Sequence, residues 1–199
     1  MNLYSYRNFK VTKMKVKKIK VDLSLATRLI HPMHVVLVSC VGKGGKANII
    51  TLAWCMPTSH RPPMLAISVA PRRLSHRMIV GTKEFVVNVP TMGIVREMLF
   101  CGRRSGRRLD KFKETGLTSL KAKIVKPPII KECVAHLECK LSQQMTTGDH
   151  TMFVGEILAA YVNEGIFDET YNIKKAKHIY HIGKDDFATL APEVTTPKL

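Results

Sequence analysis

The chain has 199 residues, enough for one domain with a full core and cramped for two, and 45% hydrophobic with 24% charged residues is the composition of an ordinary globular protein. Its formal net charge of +17 would suit a nucleic-acid binder. However, the basic residues gather in Lys10–Lys20 (KVTKMKVKKIK) and Arg103–Arg108 (RRSGRR) without interleaved aromatics, and no helix-turn-helix or finger spacing occurs. That pattern makes nucleic acid the rival reading and favours either a solvated basic surface or an attraction for acidic ligands and electron-transfer partners. No apolar run approaches the roughly 20 residues that cross a bilayer, and no signal-peptide core is present. Five cysteines without a CxxC pair argue for reduced thiols in a cytoplasmic setting, not for a disulfide framework or a zinc site.

Residues 1–13 show no clean period and read as a loose extension, and Met14, followed by KVKKIKVDLSLATRLI, is an alternative translation start. The expected organisation is a basic, flexible extension over residues 1–24 and a single domain over 25–199. Leu25–Ile30 reads as a short helix stopped before Pro32. Met33–Val41 (MHVVLVSCV) is a continuous apolar run that suits a buried strand. Gly42–Gly45 turns the chain, and Lys46–Trp54 returns as the second arm of a hairpin. GKGG is not GxGxxG and no helix follows it, which argues against a Rossmann site.

Pro62-Pro63 marks a loop before a third strand, Met64–Val69. Pro71–Gly81 reads as a helix, with Leu74, Met78 and Ile79 on one face and Gly81 as its C-terminal stop. Glu84–Val89 is a fourth strand. Thr91–Thr118 is expected to hold a short helix (Ile94–Phe100) and then a mobile loop. Ala135–Gln143, Thr151–Asn163 and His178–Ile182 alternate like antiparallel strands. Many short strands with one or two small helices give a mainly β fold, a barrel with helical cover.

The candidate chemistry lies around the hairpin and the helix that follows it. Arg72, Ser75 and His76 open a helix, where a guanidinium, a hydroxyl and free backbone N–H groups together suit a phosphate. Asn48 and Thr51 can offer polar atoms to the edge of a heteroaromatic ring, but strand alternation puts them on opposite faces. Trp54 reads as a packing residue at a strand end. His150, in a turn before a strand, can reach a ligand as donor or general acid. His31-x-x-His34 and His178-x-x-His181 lack the partners that a metal site needs, so no metal is expected. Asp185-Asp186 reads as an N-cap. No GxSxG elbow occurs, and Cys55, near the proposed pocket, is more simply a buried thiol than a redox-sensitive one.

In order and spacing, several segments together resemble the flavin reductase-like, FMN-binding split-barrel family, in particular its flavoredoxin and ferric-reductase branch. They are Pro32 with Val35–Ser39; Asn48–Trp54 (NIITLAW); Pro62–Val69 (PPMLAISV); Pro71–His76 (PRRLSH); Glu84–Pro90 (EFVVNVP); Ser105-Gly106 with Asp110-Lys111-Phe112; Gly148–Thr151 ahead of Val154-Gly155-Glu156; and His181-x-Gly183. The resemblance implies a six-stranded antiparallel Greek-key split β-barrel that forms a homodimer, with FMN in a cleft near the interface. Asn48, Ile49, Ile50, Thr51, Ala53 and Trp54, with Ser68, Val69 and Ala70, would line the isoalloxazine. Arg72, Ser75 and His76 would lie near the phosphate, Asn88 would be a further contact, and His150 would stand near the reactive ring. FMN would take a hydride at N5 from NADH or NADPH and pass electrons to a ferric complex, free flavin or a redox protein; a carrier reduced by another protein is the alternative. The Ser105–Phe112 segment would border the cleft, and here it departs from the family pattern in being unusually arginine-rich.

Overall fold

Both faces of the run Met33–Val41 are covered in the computed structural model, which describes residues 16–197. The expectations for residues 1–13 and for a start at Met14 lie outside the described residues. The chain divides into Met1–Ile30 and His31–Leu199. In the first unit, Leu23–Ile30 forms a 3-10 helix with no buried residue, opened by Asp22, which accepts from the Ser24 N–H at 2.8 Å.

The second unit begins with strands β1 (Met33–His34), β2 (Val36–Val41), β3 (Ala47–Leu52), β4 (Cys55–His60) and β5 (Pro63–Val69). Helix α1 (Leu74–Thr82) and strand β6 (Glu84–Val89) follow, then α2 (Val95–Arg103) and α3 (Lys111–Thr115). Short β7 (Ser119–Leu120) and β8 (Ile129–Ile130) precede the long hairpin β9 (Ala135–Thr147) and β10 (His150–Val162). The chain closes with β11 (Phe167–Asp168), β12 (Thr170–Tyr171), β13 (Tyr180–Gly183) and β14 (Asp186–Ala188).

Seven strands form one antiparallel sheet in the order β3-β2-β6-β9-β10-β5-β4. Its two edge strands, β3 and β4, are consecutive in the chain with only Ala53-Trp54 between them, so the sheet curls back on itself into a split barrel. The Ser68 N–H donates to the Trp54 carbonyl at that seam, at 3.0 Å. The seventh strand, where six were expected, is β4. Its sequence, CMPTSH, is polar and contains Pro57, which an edge strand tolerates because no neighbour needs its missing N–H.

Strand period assigns the core. Val36, Val38 and Cys40 of β2 point into the barrel with Ile50, Ile67, Phe85 and Phe153, and α1 plugs this core with Leu74, Met78 and Ile79. Leu37 and Ile49 point outward, under Met98 and Cys101 of α2. A strand buried on both faces reads as a continuous apolar run, which is why Met33–Val41 shows no alternation. The run is nevertheless two strands, since β1 leaves for a second sheet, β1-β13-β14. Helix α1 continues past the expected stop at Gly81, and Lys83 takes the left-handed cap (φ 60°) with its N–H on the Ile79 carbonyl. The segment expected to be a mobile loop contains α3.

The two HxxH pairs face each other across strands. His31 lies 5.1 Å from His181 and His34 lies 5.3 Å from His178, ring centre to ring centre. The buried Nε2 atoms of His34 and His178 have no partner among the described residues. Burial, and then the neighbouring His178, pulls the His34 pKa from 6.5 down to about 4. The native state therefore resists a proton that the unfolded chain accepts below 6.5. Stability is expected to fall as pH drops from about 6.5 towards about 4, by up to about 3 kcal/mol, measured by urea unfolding across that range. His34→Phe should flatten this limb of the pH profile.

Candidate functional site

A sheet edge leaves one row of backbone donors and acceptors unpaired. Strand β3 pairs with β2 on one side only. On its open side the Ile49 carbonyl accepts from Lys111 Nζ at 2.6 Å, and the same ammonium donates to the Cys101 carbonyl at 2.6 Å. Cys101 lies in the last turn of α2, where carbonyls lack helical partners and a cation is favoured. Lys111 is 5% exposed, and burial lowers its pKa. The two-residue period of the strand places the Thr51 N–H on the same open side as the Ile49 carbonyl. The Thr51 hydroxyl donates to the Met98 carbonyl at 2.5 Å, fixing α2 along the edge. Asp110 caps α3 by accepting from the Phe112 and Lys113 N–H groups, which presents Lys111 inward.

Between this edge and the start of α1 lies a cavity of about 220 Å³, lined among others by Asn48, Arg73, Ser75, Arg104, Gly106 and Lys111. Asn48 Nδ2 donates to Ser75 Oγ at 2.8 Å, which leaves the hydroxyl proton free to donate elsewhere. Arg73, the N-cap of α1, provides no side-chain cap, so the orphan N–H groups of the first turn remain available beside the cavity. Arg107 Nη1 donates to the Arg72 carbonyl at 2.8 Å and ties the arginine-rich loop to the same place. Gly106 is there because nothing larger fits: a Cβ would come within 2.0 Å of Asn48 Oδ1.

A second cavity of about 100 Å³ shares Ile50, Arg72, Arg73 and Gly102 with the first and adds Thr51, Leu52, Ser68, Ala70 and His150. His150 Nδ1 lies 2.7 Å from Asp149 Oδ1. A carboxylate can only accept, so Nδ1 carries the proton and Nε2 is left for a ligand. That hydrogen bond in turn holds the Asp149 carboxyl below its usual pKa. Trp54, 39% exposed, tilts over His150 with ring centres 4.9 Å apart.

Asn48, Ile50, Thr51, Ser68, Ala70, Arg72, Ser75 and His150 thus line one continuous cleft, with Trp54 against its histidine. Asn48 and Thr51 sit on opposite faces of β3 as alternation requires, and both reach the cleft because it straddles the edge. The remaining expected residues do not line it. Ile49 and Val69 are core side chains, and Ala53 lies in the seam. His76 is 2.9 Å from Thr151 Oγ1 and packs on Phe153, so its ring belongs to the barrel wall. Asn88 is fully buried: its Nδ2 donates to the Leu37 carbonyl and Ser39 Oγ, and its Oδ1 accepts from the Ile130 N–H and lies 2.8 Å from His136 Nδ1. Its polarity is satisfied by the fold, and nothing remains for a ligand.

The sequence reading missed Lys111, Arg73, Arg104 and Gly106. The available signal was Asp110-Lys111-Phe112 closely following Ser105-Gly106, taken only as a border of the cleft. The five thiols are free, and burial pushes Cys40 up to about 11, Cys101 to about 11 and Cys55 to about 12. A redox-sensitive Cys55 is therefore disfavoured, since the reactive form is the thiolate.

A family model described as "Flavin reductase like domain" matches residues 28–181. An uncharacterised protein of Pyrococcus abyssi is 33% identical over 167 residues, 84% of this chain and 95% of the relative. The structure of a flavoredoxin from Methanosarcina acetivorans superposes with a TM-score of 0.81 at 32% identity, over 91% of this chain and 95% of that one. The flavoredoxin of Desulfovibrio vulgaris (Miyazaki F) gives 0.80 at 26% identity, over 89% and 97%.

Gly106→Ala is expected to force Asn48 or the arginine loop aside and cost about 1–3 kcal/mol in urea unfolding. Gly44→Ala, whose Cβ would meet nothing within 4 Å, is the matched control and should stay within about 0.5 kcal/mol of the parent protein.

Proposed function

Because the chain belongs to the flavin reductase-like domain family, we propose that it binds FMN in this cleft and moves electrons from NADH or NADPH to an acceptor: a ferric complex, free flavin or a redox protein. The observation that carries the reading is the division of the cleft into two chemically different ends. One end gathers Ser75, the start of α1 and several cations. The other is a slot beside Ile50, Leu52 and Ala70, with His150 at its wall. A phosphate suits the first and a planar ring suits the second.

Bound FMN supplies a two-electron carrier, and the chain supplies placement and electrostatics. Arg72, Arg73 and the Ser75 hydroxyl hold the phosphate. The N–H of Thr51 on the open edge and the hydroxyl of Ser68 address the polar rim of the ring. His150, oriented by Asp149, offers Nε2 for holding or delivering a proton at the slot. Lys111 fixes the edge of β3 and adds positive potential that favours a reduced, more negative ring. The proposal includes a homodimer, as the family resemblance implies, and the exposed side chains of Met56 and Met145 are available to its interface. No helix among the described residues is long and apolar enough to cross a membrane, and the five free thiols suit the cytoplasm.

A second reading, an FMN electron carrier without its own NADH or NADPH activity, is favoured by the flavoredoxin neighbours and by the lack of a glycine-rich dinucleotide loop. Anaerobic addition of NADH or NADPH to the FMN-loaded protein separates the two. Loss of the flavin absorbance is the expected result. Bleaching by dithionite alone assigns the carrier role, and failure of the protein to take up FMN at all contradicts both readings.

A further inference from the structure

No residue between 16 and 30 is buried. Val16, Ile19, Leu23, Leu25, Leu29 and Ile30 are 64, 78, 85, 48, 69 and 70% exposed. Single apolar side chains on a surface are ordinary, but six large aliphatic ones in one short stretch mark an interaction site. Exposed Lys17, Lys18, Lys20 and Arg28 are interspersed with them. The one carboxylate of the stretch, Asp22, accepts from the Ser24 N–H at 2.8 Å and the Ser24 hydroxyl at 2.6 Å. None of the four cations is in an ion pair among the described residues.

The winding of Leu23–Ile30 suits solution better than an apolar boundary. Eight residues is long for a 3-10 helix, in which positions three apart eclipse, so Arg28 falls in line with Leu25 and Ile30 with Ser24 and Thr27. At the α-helical step of about 100° per residue, Leu23, Leu25, Ala26, Leu29 and Ile30 would gather within an arc of about 160°, with Ser24, Thr27 and Arg28 on the other side. That is the pattern of an interfacial amphipathic helix, and a basic run that starts at Lys10 precedes it. Nucleic acid would use the cations and leave the aliphatic side chains uncovered. A second copy of the same segment would cover the aliphatic side chains but set cation against cation. An anionic lipid surface takes both, the lysines among its headgroups and the leucines at the acyl boundary.

We propose that residues 16–30 hold the protein on anionic lipid membranes, with Leu23–Ile30 lying in the interface as an α-helix and Lys17, Lys18 and Lys20 at the headgroups. This goes beyond the FMN reading and stands independently of it. It is attachment to a surface and not a span.

The full chain is co-sedimented with vesicles of phosphatidylcholine alone and of phosphatidylcholine mixed with phosphatidylglycerol. Partitioning into the anionic vesicles should be at least about tenfold stronger, should weaken with salt, and should bring a gain of helical far-UV circular dichroism. Net charge alone would draw the protein to any anionic surface, so matched variants carry the test. Leu29→Ser/Ile30→Ser, which leaves the charge unchanged, should weaken partitioning about tenfold or more, and Lys17→Gln/Lys18→Gln/Lys20→Gln by a similar factor. Removing the same charge at exposed positions elsewhere, with Lys43→Gln/Lys46→Gln/Lys174→Gln, should cost less than about threefold. All these side chains are exposed, so each variant should keep the parent's thermal unfolding midpoint. Equal partitioning into both vesicle types, an unaffected Leu29→Ser/Ile30→Ser variant, or a control as weak as the lysine variant would overturn the proposal. Dissociation of an oligomer by Leu29→Ser/Ile30→Ser with vesicle binding unchanged would overturn it in favour of a second copy of the chain.

Discussion

The unpaired edge of β3 is the constraint on which the rest of the site depends. A barrel built from a single curled sheet has a seam, and an open strand edge at a seam invites pairing with another chain. Here the edge is covered without being closed. Lys111 bridges the Ile49 carbonyl to the end of α2, and Thr51 fastens its hydroxyl to the same helix. Those two contacts lay a helix and a loop over the edge while keeping a gap beside it. The gap is the cleft, and the peptide groups facing it are ready-made donors and acceptors.

The same arrangement explains the charge. The arginine loop connects α2 to α3 and passes beside the start of α1, so four arginines and Lys111 line one cavity. Like charges about 8 Å apart repel by about 2 kcal/mol at an effective dielectric of 20. An anion that binds only the native state relieves this repulsion and stabilises the fold by mass action. The proposed small anionic ligand would account for the basic character of this segment, and among the described residues no aromatic side chain lines the cavity.

Much of this was legible in the sequence because strand period and turn chemistry are local. The β2–β3 hairpin, the apolar face of α1 and the β9–β10 pair all follow from spacing alone. Strand β4 escaped because an edge strand needs neither apolar alternation nor freedom from proline, and CMPTSH, with Pro57, shows neither. Asn88 entered only through the family resemblance, and His76 because a polar side chain at a helix start suits a phosphate. Whether such a group faces a ligand or another buried strand is a tertiary fact. Lys111 shows the converse: a lysine in a short polar segment reads as solvated, and only folding brings it to two carbonyls 62 and 10 residues away in sequence.

In the proposed complex the FMN phosphate sits at the start of α1 and the ring sits against the edge of β3. Titration of flavin-free protein with FMN and with riboflavin, read by flavin fluorescence, tests it most directly. The prediction is one FMN per chain and at least about tenfold weaker binding of riboflavin, which lacks the phosphate that the cationic end of the cleft would hold. Equal affinity for the two flavins, or no binding of either, would contradict it.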